Sequence, residues 1–119
     1  MAAHNELGKW GEGMAVEYLH EKGYIIRECD WKFGKRDIDI IALTPDETEV
    51  VFVEVKTRTT DKVAKPEDAV DMRKIRSIGT AANAYVKMCD MTEELRFDII
   101  TIVGTTRDNM RVEHIKDAF

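Results

Sequence analysis

Two aliphatic stretches of the sequence, 37–44 and 50–57, alternate as β-strands do and are interrupted by the charged residues Asp39, Glu54 and Lys56. An antiparallel pairing about a turn centred between positions 46 and 47 puts their aliphatic side chains on a common side. This register places Asp39 opposite Glu54, with β-carbons ~4.5–5.5 Å apart. Two carboxylates this close repel each other unless a cation lies between them or one takes a proton. The pattern therefore predicts a divalent-ion site.

Magnesium suits a carboxylate pair, because it takes oxygen ligands at ~2.0–2.1 Å, keeps several waters and is commonly held by one or two carboxylates with a substrate phosphate. Lys56 follows Glu54 on the same strand face, whereas the alternation assigns Ile38 and Ile40 to the opposite, buried face. The Lys56 ammonium can orient or help to deprotonate an attacking water, or neutralise charge on a phosphate oxygen. These are the parts of a site for phosphodiester hydrolysis.

A structural interpretation of the same charges stays open at this point. Charged residues at one end of a hairpin often lie at a hydrated sheet margin, where Asp37 opposite Lys56 would form a surface ion pair worth ~0–1 kcal/mol. An acidic pair followed by ExK also occurs by chance in many proteins. The residues alone are compatible with a catalytic site and with a hydrated sheet end.

The elements that must position these charges follow the order α-β-β-β-α-β-β. Apolar residues three and four positions apart predict the helices, and β-branched or alternating stretches predict the strands. Proline at position 66 suits the first turn of the second helix, which follows a polar loop. The predicted elements are a helix at 6–22, strands at 24–32, 37–44 and 50–57, a loop at 58–66, a helix from 66 to about 88, and strands at 96–104 and 110–115. This order predicts one mixed sheet flanked by helices.

The composition is that of a single globular domain over residues 1–119, with 44% hydrophobic and 34% charged residues. No apolar run approaches the ~20 residues of a membrane span, and no secretory signal is evident, so we expect a cytoplasmic protein without membrane association. The net charge of -5 argues against binding nucleic acid by bulk electrostatics, because such binding needs clustered Lys and Arg. A local basic site stays possible, because acids and bases between positions 27 and 76 can be sorted only by folding.

Cysteine and histidine residues predict no metal centre of their own. Cys29 and Cys89 match no metal or redox spacing, and we expect unpaired thiols. The three histidines, His4, His20 and His114, are scattered along the chain. A zinc site is therefore not expected.

Several motifs in this order resemble a known family. They are GKWGEGMAVEYL followed by GY, then DIDIIA, VVFVEVKTR, AVDMRKIRSIGTAANAYV, RFDII and a terminal AF. An acidic strand residue followed by ExK, after a helix that bears a glutamate, looks like the PD-(D/E)XK nuclease superfamily. The closer match is the YraN-like family of small bacterial proteins, which are similar to archaeal Holliday junction resolvases. The resemblance covers nearly the whole chain and implies a restriction-endonuclease-like, three-layer α/β fold with a mixed sheet of four to five strands.

Carried over position by position, the resemblance implies a catalytic and metal-binding site. Asp39 and Glu54 match the metal-binding carboxylates, and Lys56 matches the catalytic lysine. Glu12 falls where the resolvases have a helix glutamate that completes the metal site, although a glutamate in the first turn of a helix is also favoured by the helix dipole. Glu17 is the alternative to Glu12. The implied cofactor is Mg²⁺ or Mn²⁺.

One dipeptide departs from the family pattern. Arg36 and Asp37 stand where members commonly have Gly-Glu, and Asp37 is not expected to be a metal ligand. Arg58 matches a basic residue after the catalytic lysine, and Lys74 matches a lysine of the second helix. Contact with DNA phosphates is plausible for both, and so is surface solvation.

Three functions are consistent with the sequence. The first is a metal-dependent nuclease that acts on DNA, with branched or damaged DNA as substrates by analogy with the resolvases. A homodimer would then cut two strands symmetrically. The second is a non-catalytic module that keeps the nuclease fold to bind DNA or a protein, which the acidic net charge favours. The third is a domain without any nucleic-acid role.

Overall fold

The computed structural model describes residues 2–59 and 72–119, with side chains from residue 6 onward. Its elements are α1 (Ala2–Glu21), β1 (Ile25–Phe33), β2 (Arg36–Leu43), β3 (Glu49–Arg58), α2 (Met72–Met88), β4 (Glu94–Val103) and β5 (Arg111–Ile115). The predicted order is confirmed, including the fifth strand. Most of the predicted loop at 58–66 and the predicted start of the second helix at position 66 lie outside the described residues.

The five strands form one mixed sheet in the order β1-β2-β3-β4-β5. Only β3 and β4 are parallel neighbours, and α2 lies between them in the chain, as the crossover of a parallel pair requires. One buried cluster packs α1 on one face of the sheet, and a second packs α2 on the other. The fold is therefore the expected three-layer α/β arrangement. Within residues 2–59 and 72–119, no helix is long and apolar enough to span a membrane.

The register of β2 and β3 is the predicted one. The ladder runs from Leu43 opposite Val50 to Ile40 opposite Val53 and extends no further toward the start of β2. The next pair in this register is Asp39 and Glu54. There the Asp39 Oδ2 accepts a hydrogen bond from the Val55 N–H at 2.8 Å. A side-chain carboxylate thus takes the place of a backbone carbonyl where the two strands separate.

The prediction that Ile38 and Ile40 share one buried face is wrong. Ile40 belongs to the cluster under α1, whereas Ile38 belongs to the cluster under α2, so both faces of the sheet are buried. The physical cause lies in β1, where Asp30 has a φ of 49°. Asp30 lies between two consecutive pairs, Cys29 with Ile40 and Trp31 with Ile38. This left-handed residue breaks the alternation of both strands beside Asp39.

A buried ionic network fixes β4 against β5 and the C-terminal segment. Asp98 is fully buried and accepts two hydrogen bonds from Arg96, at 2.9 and 2.7 Å. His114 Nε2 lies 2.7 Å from its Oδ2, and the Asp117 N–H donates to its Oδ1 at 3.0 Å. Burial alone would raise the pKa of Asp98, but these hydrogen bonds lower it. The sequence did not predict the network, because the three histidines are far apart along the chain.

Candidate active site

The predicted acid pair lies where the β2–β3 ladder opens. Glu54 is only 6% exposed, and Asp39 is partly buried beside it on the neighbouring strand. The pair is therefore not a hydrated sheet margin. Asp37, which could have paired with Lys56 on such a margin, instead lies 3.6 Å from Lys32.

The two carboxyl groups are electrostatically strained. Burial is the largest cause that raises the pKa of Asp39, to about 8, followed by the negative charge of Glu54 and the direct interaction of the two carboxyl groups. The Val55 N–H opposes this shift, and the charge of Glu12 adds to it. A carboxyl group with such a pKa holds its proton at neutral pH unless a cation joins the pair.

Two lysines approach the same oxygen of Glu54. Lys74 Nζ lies 3.2 Å from Oε2, and Lys56 Nζ lies 4.0 Å from it. Although burial opposes it, the attraction of Glu54 raises the pKa of Lys74. Asp39 is the member of the pair whose pKa is raised, and both lysines lie on the Glu54 side of the pair. Apart from these lysines, Glu54 Oε2 has no polar partner among the described residues.

Glu12 comes to this site from α1. Gly11 makes this possible, because a β-carbon at Gly11 would overlap the side chain of Thr57 on β3, so only glycine lets the helix approach. The pKa of Glu12 is raised by burial and then by the charges of Asp30, Asp37 and Glu54. Glu17, the alternative, instead forms an exposed ion pair with Arg107. Of the two helix glutamates, Glu12 is therefore the one whose charge interacts with the acidic residues.

The residues present fit a divalent cation in part. Within the described residues, no three His, Cys, Asp or Glu side chains are grouped as a ready ligand set, so Glu12 is not assembled with the pair into a three-carboxylate site. Asp39 and Glu54 nevertheless match what Mg²⁺ needs, because it is often held by two carboxylates and several waters. Glu54 Oε2 is a suitable ligand atom, because among the described residues it has no polar partner other than the two lysines. Metal binding by Asp39, Glu54 and Glu12 stays a prediction.

Basic side chains lie near the acid pair. Lys56 and the exposed Arg58 belong to the end of β3, and Lys74 belongs to the first turns of α2. Arg36 begins β2 at the end of the sheet where Arg58 ends β3, because β2 and β3 are antiparallel. Folding thus brings Lys56 and Lys74 to Glu54 despite the negative net charge. DNA contact by Arg58 and Lys74 stays a prediction.

Asp30 is a site residue that the sequence did not indicate. Its charge raises the pKa of Glu12, and its backbone conformation sets the face on which Ile38 and Trp31 lie. Imperfect alternation in the 24–32 stretch was the only available signal. Asp tolerates a left-handed conformation better than most residues, but the residue type alone does not show which Asp of a chain adopts one.

Replacement of Asp39 by asparagine is expected to stabilise the metal-free protein. An amide can still accept from the Val55 N–H, and it removes the charge that repels Glu54. Because the folded pKa lies above the unfolded value, wild-type stability is lost as pH rises from about 4 through about 8. Asp39→Asn should therefore gain little below pH 4 and at least ~1.4 kcal/mol, one pKa unit, at pH 8. Urea unfolding of Asp39→Asn and wild type, below pH 4 and at pH 8, measures the difference. Equal stability of the two proteins at pH 8 would contradict the repulsion between Asp39 and Glu54.

The comparisons with known proteins settle the family. A family model described as "Uncharacterised protein family UPF0102" matches residues 11–102. The chain belongs to the UPF0102 family. The UPF0102 protein of Bacteroides thetaiotaomicron is 50% identical over all of this chain and 96% of its own length. A UPF0102 protein of Bacteroides fragilis is 48% identical over the same shares, and one of Flavobacterium psychrophilum is 46% identical over all of this chain and 98% of its own length.

UPF0102 is the YraN-like family that the motifs indicated, and that prediction is confirmed. The matched UPF0102 segment begins at Gly11 and so contains Glu12, Asp39, Glu54, Lys56, and both strands of the opened ladder. The family is described as uncharacterised, so an activity must be argued from the site itself.

Proposed function

We propose that this UPF0102 protein is a metal-dependent nuclease that hydrolyses phosphodiester bonds of DNA. The single observation that carries the proposal is the opened β2–β3 ladder. There the partly buried Asp39 lies beside the buried Glu54, and Lys56 Nζ is 4.0 Å from Glu54. A purely structural pair of acids in this position would be destabilising, because two carboxylates repel each other in a buried environment. A bound cation would relieve that repulsion and would then attract an anionic substrate.

Each residue of the site has a role in this proposal. Asp39 and Glu54 would hold Mg²⁺ or Mn²⁺, with Glu12 adding negative charge nearby. The bound ion supplies Lewis acidity toward a phosphate oxygen and lowers the pKa of water. Lys56 stabilises negative charge on the phosphoryl group or orients the attacking water, and its proximity to Glu54 keeps its ammonium at the site. Arg58 and Lys74 would contact flanking phosphates.

The test is DNA cleavage by the purified protein. We expect incision of single-stranded, supercoiled or four-way-junction DNA in Mg²⁺ or Mn²⁺, and none after chelation. Symmetric cuts in a four-way junction, with sedimentation of the complex as a dimer, would support the homodimer. Persistent cleavage in excess chelator would contradict the metal requirement, and cleavage of none of these substrates would contradict the nuclease.

One observation favours a second candidate. Lys74 Nζ already lies 3.2 Å from Glu54 Oε2, so an ammonium ion occupies part of the position that a metal would take. A non-catalytic DNA-binding module could retain such a site without turnover. It would bind DNA with the same affinity after Glu54→Ala, and calorimetry would detect no Mg²⁺ or Mn²⁺ binding up to millimolar concentration.

A further inference from the structure

The hairpin of β1 and β2 carries an aromatic pair that the proposed chemistry does not use. The rings of Trp31 and Phe33 are parallel, with centroids 6.1 Å apart and an angle of 2° between their planes. Trp31 is held from beneath by Tyr85 of α2, in an edge-to-face contact at 5.1 Å. Phe33 is 39% exposed. The pair is thus anchored at one ring and open to solvent at the other.

This pair lies on the same face of the sheet as the acid pair. Trp31 packs against the cluster under α2, and Glu54 contacts Lys74 of α2. Phe33 is paired with Arg36, which precedes Asp39 by three positions in β2. At ~3.3 Å per residue, the Phe33–Arg36 pair lies about 10 Å from the acid pair along the strand direction. A nucleic-acid strand at the site can therefore reach Phe33 within a few nucleotides.

The charges around the pair suit a nucleic acid. Lys35 and Arg36 are exposed in and beside the turn at Gly34, which has a φ of 62°. Lys32 lies 2.9 Å from Asp30 and 3.6 Å from Asp37, so its charge is already paired. Aromatic side chains next to exposed cations bind single strands by stacking bases and attracting phosphates.

We propose that Phe33, supported by Trp31, is a stacking platform for an unpaired base near the scissile phosphate. The inference rests on the proposed nuclease function and specifies its substrate as DNA with unpaired nucleotides beside the cut. A base inside a duplex has both faces covered by its neighbours, and it can stack on a side chain only after it is unstacked from them. An unpaired base is free to do so, and stacking on one aromatic residue is worth about 1–3 kcal/mol.

Binding in a catalytically silent background tests the platform. In Lys56→Ala protein, fluorescence anisotropy would measure the affinity for a labelled single strand, an abasic strand of equal length and a duplex. Phe33→Ala should weaken binding of the single strand roughly five- to a hundred-fold and leave abasic-strand and duplex binding within about two-fold. Phe33→Trp should retain the single-strand affinity, whereas Phe33→Leu should lose it.

Phe119→Ala is the matched control. Phe119 is also part of a ring pair on the α2 face, with Phe97 at 5.6 Å, but that pair lies by β4 rather than at the β1–β2 hairpin. We expect this change to leave DNA binding unaltered. Equal single-strand affinity of Phe33→Leu and Phe33→Trp would overturn the platform, as would equal losses on normal and abasic strands.

These outcomes are separate from those that test the nuclease. A wild-type protein that prefers normal to abasic strands through Phe33, yet cleaves neither, supports the platform and rejects the nuclease. A wild-type protein that cleaves DNA with a Phe33→Leu variant of unchanged affinity supports the nuclease and rejects the platform. Wild-type protein without measurable single-strand binding rejects the platform.

Discussion

Glu54→Gln is expected to lower metal-dependent DNA cleavage by about 10²–10³-fold, the usual cost of losing a group that stabilises charge in the transition state. Glu54 is the centre of the site, because it faces Asp39 and has both Lys56 and Lys74 within 4.0 Å. Glutamine keeps the shape but removes the charge that would bind the ion. Lys56→Ala should cause a loss of the same order without abolishing metal binding.

Glu49→Gln is the control for this change. Glu49 lies at the other end of the same strand and contacts Arg96 at 3.2 Å, so the substitution is chemically identical but distant from the site. We expect its cleavage rate to be within about two-fold of wild type. Single-turnover assays on a four-way junction and a single strand, with circular dichroism as the check on folding, measure the contrast. If Glu54→Gln and Lys56→Ala both cleave like wild type, the assigned site is wrong.

Asp98→Ala is expected to lower the free energy of unfolding by about 3–5 kcal/mol, the usual cost of removing one partner of a buried ion pair. The change would leave Arg96 and His114 in the interior without their carboxylate. Urea unfolding at pH 7 measures it. Because the pKa of Asp98 is lowered on folding, its stabilisation is present above pH ~4 and is lost as pH falls below that value.

A surface ion pair supplies the comparison. Glu17→Ala breaks the contact with Arg107, whose side chain is 63% exposed, and such pairs are worth ~0–1 kcal/mol. If Asp98→Ala does not fold, the milder Asp98→Asn should still unfold at lower urea concentration than Glu17→Ala. Equal stability of Asp98→Asn and Glu17→Ala would contradict the structural role of the network.

The contributions of Asp98 and Asp39 to folding stability therefore change with pH in opposite directions. Asp98 accepts hydrogen bonds from Arg96 and a backbone N–H, so its charge stabilises the fold. Asp39 faces Glu54, so its charge destabilises the metal-free fold. Destabilising charge is common where a protein trades stability for function, and this contrast separates the candidate site from the structural network.

The sequence by itself determined the family, the order of elements and the pairing of Asp39 with Glu54. The family was indicated by motifs that resemble its members. The order of elements and the pairing follow from local rules, because residue periodicity predicts each element, and the turn and the strand alternation fix which residues of the β2–β3 hairpin are neighbours. The same rules failed at Ile38, where a left-handed Asp30 on the adjacent strand reversed the face. Asp30 belongs to β1, so the sequence of the β2–β3 hairpin does not predict its conformation.

Only the tertiary structure decided which distant residues lie near the pair. The charge of Glu12 acts on Asp39 because Gly11 lets α1 pack closely on Thr57, and Lys74 contacts Glu54 because α2 packs on the sheet face that carries Glu54. The partners of Asp98 likewise come from separate segments. Such contacts depend on how helices and strands pack across the core. The spacing of residues along the chain does not show which distant residues will meet there.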